Sequence, residues 1–84
     1  MEEKLIGKIT HYYGKIGVGI VELLGNLKVG DKIHLKGHTT DFEQTVDSIQ
    51  VEHENVNSAK KGEVIGMKVK DKVHEGDEVY LIIE

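Results

Sequence analysis

The chain has 84 residues, no cysteine, no proline, eleven basic residues that are all lysine, and a formal net charge of −4 with histidine neutral. That length fits one small domain, residues 1–84, and is too short for a GTPase, a Rossmann or a TIM-barrel domain. The missing cysteines exclude disulfides, thiolate metal sites and thiol nucleophiles, and a negative chain without arginine is poorly suited to broad binding of nucleic acid or anionic membrane.

Ten valines and nine isoleucines against six leucines and one alanine mark a chain built for pleated surfaces. Leu5 to Thr10 reads as the first strand, with Leu5, Gly7 and Ile9 on one face. Residues 11–15 connect it to a second strand from Ile16, with Ile16, Val18 and Ile20 on one face and Gly17 and Gly19 on the other. Gly25-Asn26 is a turn. Val29-Gly30-Asp31 turns into Lys32 to Lys36, where Ile33 and Leu35 point inward. A polar loop covers 37–42. Glu43 to Glu54 is extended, but Val46 and Ile49 are three apart, which predicts a β-bulge near Asp47–Ser48. Ala59 to Gly62 turns into a strand carrying Ile65, Met67 and Val69. Val73 is an inward anchor, Glu75-Gly76-Asp77 is a tight turn, and Val79, Leu81 and Ile83 share a face of the closing strand.

No stretch of ten residues carries a helical period, and turn signals recur every 8–14 residues. The expected fold is all-β: a small closed barrel of six to seven strands. Its expected core is Ile9, Val18, Ile20, Ile33, Leu35, Ile49, Val51, Ile65, Met67, Val79 and Leu81. No apolar run approaches the length of a membrane span, and the acidic start is unlike a signal peptide, so a cytoplasmic protein without membrane contact is expected.

No catalytic pattern is present. Gly14-Lys15 precedes Ile16, not the hydroxyl that holds Mg2+ in a phosphate loop, and a strand follows where a helix is required. No nucleotide binding, no cofactor and no enzymatic activity are expected. His34 and His38, with Asp41 three further on, are the metal-ligand candidates. Gly37 between them is expected to break the strand, so a solvated surface role competes with ligation. Tyr12 and Tyr13 sit at a strand end, where they either stack on bases or plug the barrel mouth. Lys60, Lys61 and Lys68 belong to a modest basic stripe that neighbouring acids largely cancel.

Three phrases in order carry a family resemblance: Gly25 to Leu35, Ala59 to Met67, and Glu75 to Val79. They resemble the β-barrel second domain of translational GTPases of the elongation factor Tu type. That resemblance covers about residues 5–83 and implies a stand-alone elongation-factor-like barrel. The expected function is then a non-enzymatic binding module contacting RNA or a ribosomal component, with Lys60, Lys61 and Lys68 on phosphates and Tyr12 or Tyr13 on a base. Gln50 stands where the family carries an acidic residue, and Val21 to Leu24 replaces its arginine-rich segment. A similar barrel closes some collagenase-like peptidases. The alternative is therefore a protein–protein adaptor that supplies the barrel in trans to such an enzyme.

Overall fold

Alternating β-branched residues between glycine turns produce ten strands and no helix in the computed structural model, which describes residues 2–83. They are β1 (Glu2–Tyr13), β2 (Val18–Leu23), β3 (Leu27–Lys28), β4 (Lys32–Lys36), β5 (Asp41–Thr45), β6 (Ile49–Val51), β7 (Glu54–Val56), β8 (Ser58–Ala59), β9 (Val64–Lys68) and β10 (Glu78–Ile83). Eight of them form one antiparallel sheet in the order β5-β4-β10-β1-β2-β9-β6-β7, and β3 pairs with β8. The radius of gyration is 11.2 Å. Gly30, Gly62 and Gly76 all have positive φ, which explains why each turn carries glycine.

The expected closed barrel is not formed. The sheet ends at β5 and β7, and these two do not pair. β7 has three residues and hydrogen-bonds only to β6, so nothing carries the ladder round to β5. A side chain spans the seam beside β5. Gln44 Nε2 donates to the Lys68 carbonyl at 2.8 Å, and its Oε1 accepts the Lys70 N–H at 2.8 Å. One primary amide thus supplies the donor and acceptor that a further strand would offer. Gln44→Ala is expected to cost about 1–2 kcal/mol and to speed hydrogen exchange at the Lys70 amide. Unchanged exchange there would show that the seam does not depend on this amide.

The anticipated bulge at Asp47–Ser48 is a full strand break. After β5 the chain leaves the sheet edge, and Val46 docks on the β3–β4 turn. Its N–H donates to the Asp31 carbonyl, and its own carbonyl accepts from Gly30 N–H. β6 then pairs with β9, near the other end of the sheet order. The polar loop expected over 37–42 also shortens, because Asp41 and Phe42 belong to β5.

The core comprises Ile6, Ile9, Val21, Leu23, Leu27, Ile33, Leu35, Val46, Ile49, Ala59, Ile65, Met67, Val73 and Val79. Seven of the residues expected inside are there: Ile9, Ile33, Leu35, Ile49, Ile65, Met67 and Val79. Val51 and Leu81 are half-buried but pack against this core, and it is Val18 and Ile20, also half-buried, that turn out of it. The cause lies in β1, whose register shifts between Leu5 and Gly7 against β10 and between Ile9 and His11 against β2. The first irregularity lets Ile6 and Ile9, three apart, both face inward. In β2 it is Gly19, Val21 and Leu23 that turn toward the core, and Val18 and Ile20 that turn out. Gly19 suits this phase, since a Cβ there would already touch Ile9, Val73 and Val69 side chains at 3.4–3.6 Å.

Candidate docking surface

A sheet face turned to water is normally polar, and the outer face of β2 and β9 is not. Val18 and Ile20 project outward from β2 because Gly19 and Val21 take the inward positions. Register places Ile20 opposite Gly66 and Glu22 opposite Val64 on β9. Gly66 has no side chain, so Val18 and Ile20 lean across it; a Cβ there would stand 3.5 Å from Val18 Cγ1 and 3.8 Å from Ile20 Cδ1. Tyr13 pairs with Val18, and Ile16 caps the β1–β2 turn. Three of these side chains are well exposed: Tyr13 at 49%, Ile16 at 63% and Val64 at 53%. Together they line a groove of about 250 Å³ that Gln50, Glu52 and His53 complete.

The rim is made by the β6–β7 hairpin. Glu52 and His53, its two turn residues, have φ of 51° and 67°. A tight two-residue turn of this hand prefers Asn-Gly, because side chains in the left-handed region cost about 1–2 kcal/mol each. Here a carboxylate and an imidazole occupy those positions and stand beside the apolar floor. A strained pair held next to a groove is a common feature of binding edges. A larger depression of about 450 Å³ lies along β5 and the end of β9, but most of its lining side chains are charged: Lys32, Glu43, Asp47, Lys68 and Lys70, with Gln44, Thr45 and Val69.

The residues expected to contact nucleic acid are not brought together. Lys60 and Lys61 lie in the β8–β9 turn, where their N–H groups donate to Glu63 and Asn26. Lys68 lies at the far end of β9, roughly 13 Å of strand away. Tyr12 is partly buried and packs on the core. Tyr13 is exposed, with its ring 4.4 Å from that of His11 in an edge contact. Sequence reasoning missed the groove because it placed Val18 and Ile20 inside. The signal that could have found it was β2 itself, where apolar residues stand on both faces.

The two metal candidates part company. His38 is exposed in the 37–40 turn. His34 points outward from β4 between carboxylates: Nδ1 meets Glu3 Oε2 at 2.6 Å, and Nε2 meets Asp41 Oδ1. The Asp41 hydrogen bond raises its pKa above the usual imidazole value; burial opposes this, and the hydrogen bond and charge of Glu3 add to it. Neither Glu3 nor Glu43, also nearby, was singled out by sequence reading, since only cross-strand register makes them neighbours of His34.

No family model matches the chain. A Methanocaldococcus jannaschii protein named an uncharacterized protease is 45% identical over 80 residues, covering 94% of this chain and 20% of that protein. A Porphyromonas gingivalis collagenase is 36% identical over 81 residues, covering 94% of this chain and 22% of its own length. The chain thus spans about a fifth of the curated relatives it matches. The C-terminal domain of a Geobacillus thermoleovorans protein named as a U32 peptidase has the same fold. It superposes with a TM-score of 0.89 at 18% identity over 95% of this chain and 93% of that one. A selenomethionine form of that domain gives 0.86 at 19% identity, over 90% and 96%. The resemblance to elongation-factor-like proteins is thereby overturned. The phrases that carried it centre on Gly30, Gly62 and Gly76, and all three are positive-φ turn glycines that any small β fold with such turns requires. Among the described residues no helix is long and apolar enough to cross a membrane.

Proposed function

We propose that this chain is a non-catalytic docking domain of the collagenase-like peptidase type, which seats on the catalytic part of such a peptidase through the outer groove of β2 and β9. The observation that carries this reading is the contiguous apolar surface of Tyr13, Ile16, Val18, Ile20 and Val64 on a face that would otherwise be solvated. Apolar residues clustered in this way, aromatic at one end and bounded by polar side chains, are the usual centre of a protein-binding patch. The similarity to about a fifth of larger proteins named protease and collagenase supports the choice of partner. Lysines spread over opposite ends of β9 favour no nucleic-acid ligand.

The test uses this chain and the Methanocaldococcus jannaschii relative from which the matching 80 residues have been removed. Sedimentation velocity and calorimetry are expected to show a one-to-one complex. Ile16→Asp and Val64→Asp should each weaken it at least tenfold, because a buried unpaired carboxylate is costly at an interface. Both side chains are exposed, so circular dichroism and melting temperature should stay unchanged. Absence of a complex, or a complex indifferent to both substitutions, would overturn the assignment.

A further inference from the structure

We propose that Glu3, His34 and Glu43 form a site for one divalent transition-metal ion of the Zn2+ class on the outer face of the sheet, with Asp41 orienting the imidazole. The site lies on the opposite side of the sheet order from the docking groove and does not depend on that reading. Its residues come from three strands. His34 on β4 stands opposite Glu43 on β5, and Glu3 on β1 is brought alongside by β10, which lies between β1 and β4. One donor atom from each lies within 4.8 Å of the other two. A tetrahedral ion with bonds of about 2.1 Å needs donors about 3.4 Å apart, so rotation of the two glutamates suffices.

Asp41 makes this more than a group of acids. It holds His34 Nε2 and Glu3 Oε2 lies 2.6 Å from Nδ1, so a metal at Nδ1 would displace the proton shared with Glu3 while the Nε2–H contact to Asp41 is kept. A ring nitrogen bound to a metal while the other donates to a carboxylate is the usual arrangement that fixes a ligating histidine. The imidazole is also anchored, with its side chain only 13% accessible. Charge points the same way. Three carboxylates lie around one imidazole, and Lys32 Nζ stands 3.7 Å from Glu43. The other polar groups on this face are engaged with one another: Tyr80 donates to Glu78 at 2.9 Å, and Lys36 Nζ stands 5.6 Å from the Tyr80 ring centre. One nitrogen and two carboxylate donors suit Zn2+, Co2+ or Ni2+, whereas Mg2+ and Ca2+ prefer oxygen alone. With three protein ligands on an accessible surface, the fourth position is open to water.

The experiment titrates the full chain at pH 8 with ZnCl2, and separately with MgCl2, by calorimetry and by amide NMR. One equivalent of Zn2+ is expected, with shifts centred on residues 3, 34 and 43 and little response to Mg2+. His34→Gln and Glu43→Gln should each lower affinity at least tenfold. Asp41→Asn should lower it by about 10–100-fold through loss of the orienting contact. His38→Ala should leave it unchanged. The amide spectrum of each variant reports its folding, and Glu43 and Asp41 are accessible enough for those variants to remain folded if His34→Gln does not. No saturable Zn2+ binding, or binding that Glu43→Gln and Asp41→Asn leave intact, would overturn the proposal and leave His34 as an ion-paired surface imidazole.

Discussion

Ile33→Ala is expected to lower the unfolding free energy by about 2–5 kcal/mol, the range for emptying a large aliphatic site in a core. Ile33 is fully buried on β4, opposite Leu81 of β10 on one side and Gln44 of β5 on the other. A domain of this size has roughly 5–15 kcal/mol of stability at most, so one truncation consumes a large share of it. At about 4–8 °C per kcal/mol the melting temperature should fall by about 8 °C or more. Ile20→Ala is the matched comparison. Strand alternation alone assigns Ile20 to the same core, but it lies half-exposed in the outer groove and should cost about 1 kcal/mol or less. Chemical denaturation of both variants separates the two. Equal losses would return β2 to the phase that its alternation suggests and remove the groove.

That comparison also shows where sequence reading stops. Strands with an uninterrupted period of two were legible: Ile33 and Leu35, and Ile65 and Met67, all face inward as their alternation requires, whereas in β10 Val79 faces inward but Ile82 is buried in place of Ile83, which is exposed. The turns were legible too, since Gly30, Gly62 and Gly76 mark conformations that other residues avoid. β1 was not. A bulge shifts every later side chain to the opposite face, and nothing in Leu5 to Thr10 announces one. The error then passed to β2, where glycines at 17 and 19 gave the wrong face its apolar residues. Closure failed for a different reason. Whether the two edge strands, β5 and β7, meet is a property of strand lengths and of where the chain crosses after Val46, and neither is local. Of the His34 cluster, only His34 and Asp41 were legible, through the spacing of His34 and His38 with Asp41 three further on; Glu43 becomes a neighbour only through the β4–β5 register. Glu3 is thirty-one residues away and reaches the imidazole through pairing across β10.

The second large effect belongs to the closing turn. Asp77 is 4% exposed, and its Oδ2 accepts the Thr40 hydroxyl at 2.5 Å and the His74 N–H at 2.7 Å. One carboxylate therefore caps its own turn and ties it to the end of the β4–β5 loop. Thr40 is equally buried, and Asp77→Ala leaves its hydroxyl only the longer contact to His74 Nδ1, at 3.2 Å, and takes the partner from the part-buried His74 amide, at about 1–3 kcal/mol for a lost buried partner. A total loss of about 2–4 kcal/mol is expected. Gly37 faces the same carboxylate. A Cβ at that position would fall 1.8 Å from Asp77 Oδ1, so Gly37→Ala must push the side chain off its partners and should also cost more than 1 kcal/mol. The two losses share one cause. Once Asp77 is alanine, the space that the Cβ needs is free and the bonds it would break are already gone. The double variant should then be less destabilised than the sum of the singles, by about 0.5–3 kcal/mol. Denaturant unfolding of the four proteins measures that coupling. Strict additivity would mean that Gly37 is constrained by something other than the Asp77 carboxylate, and that the turn and the loop are held independently.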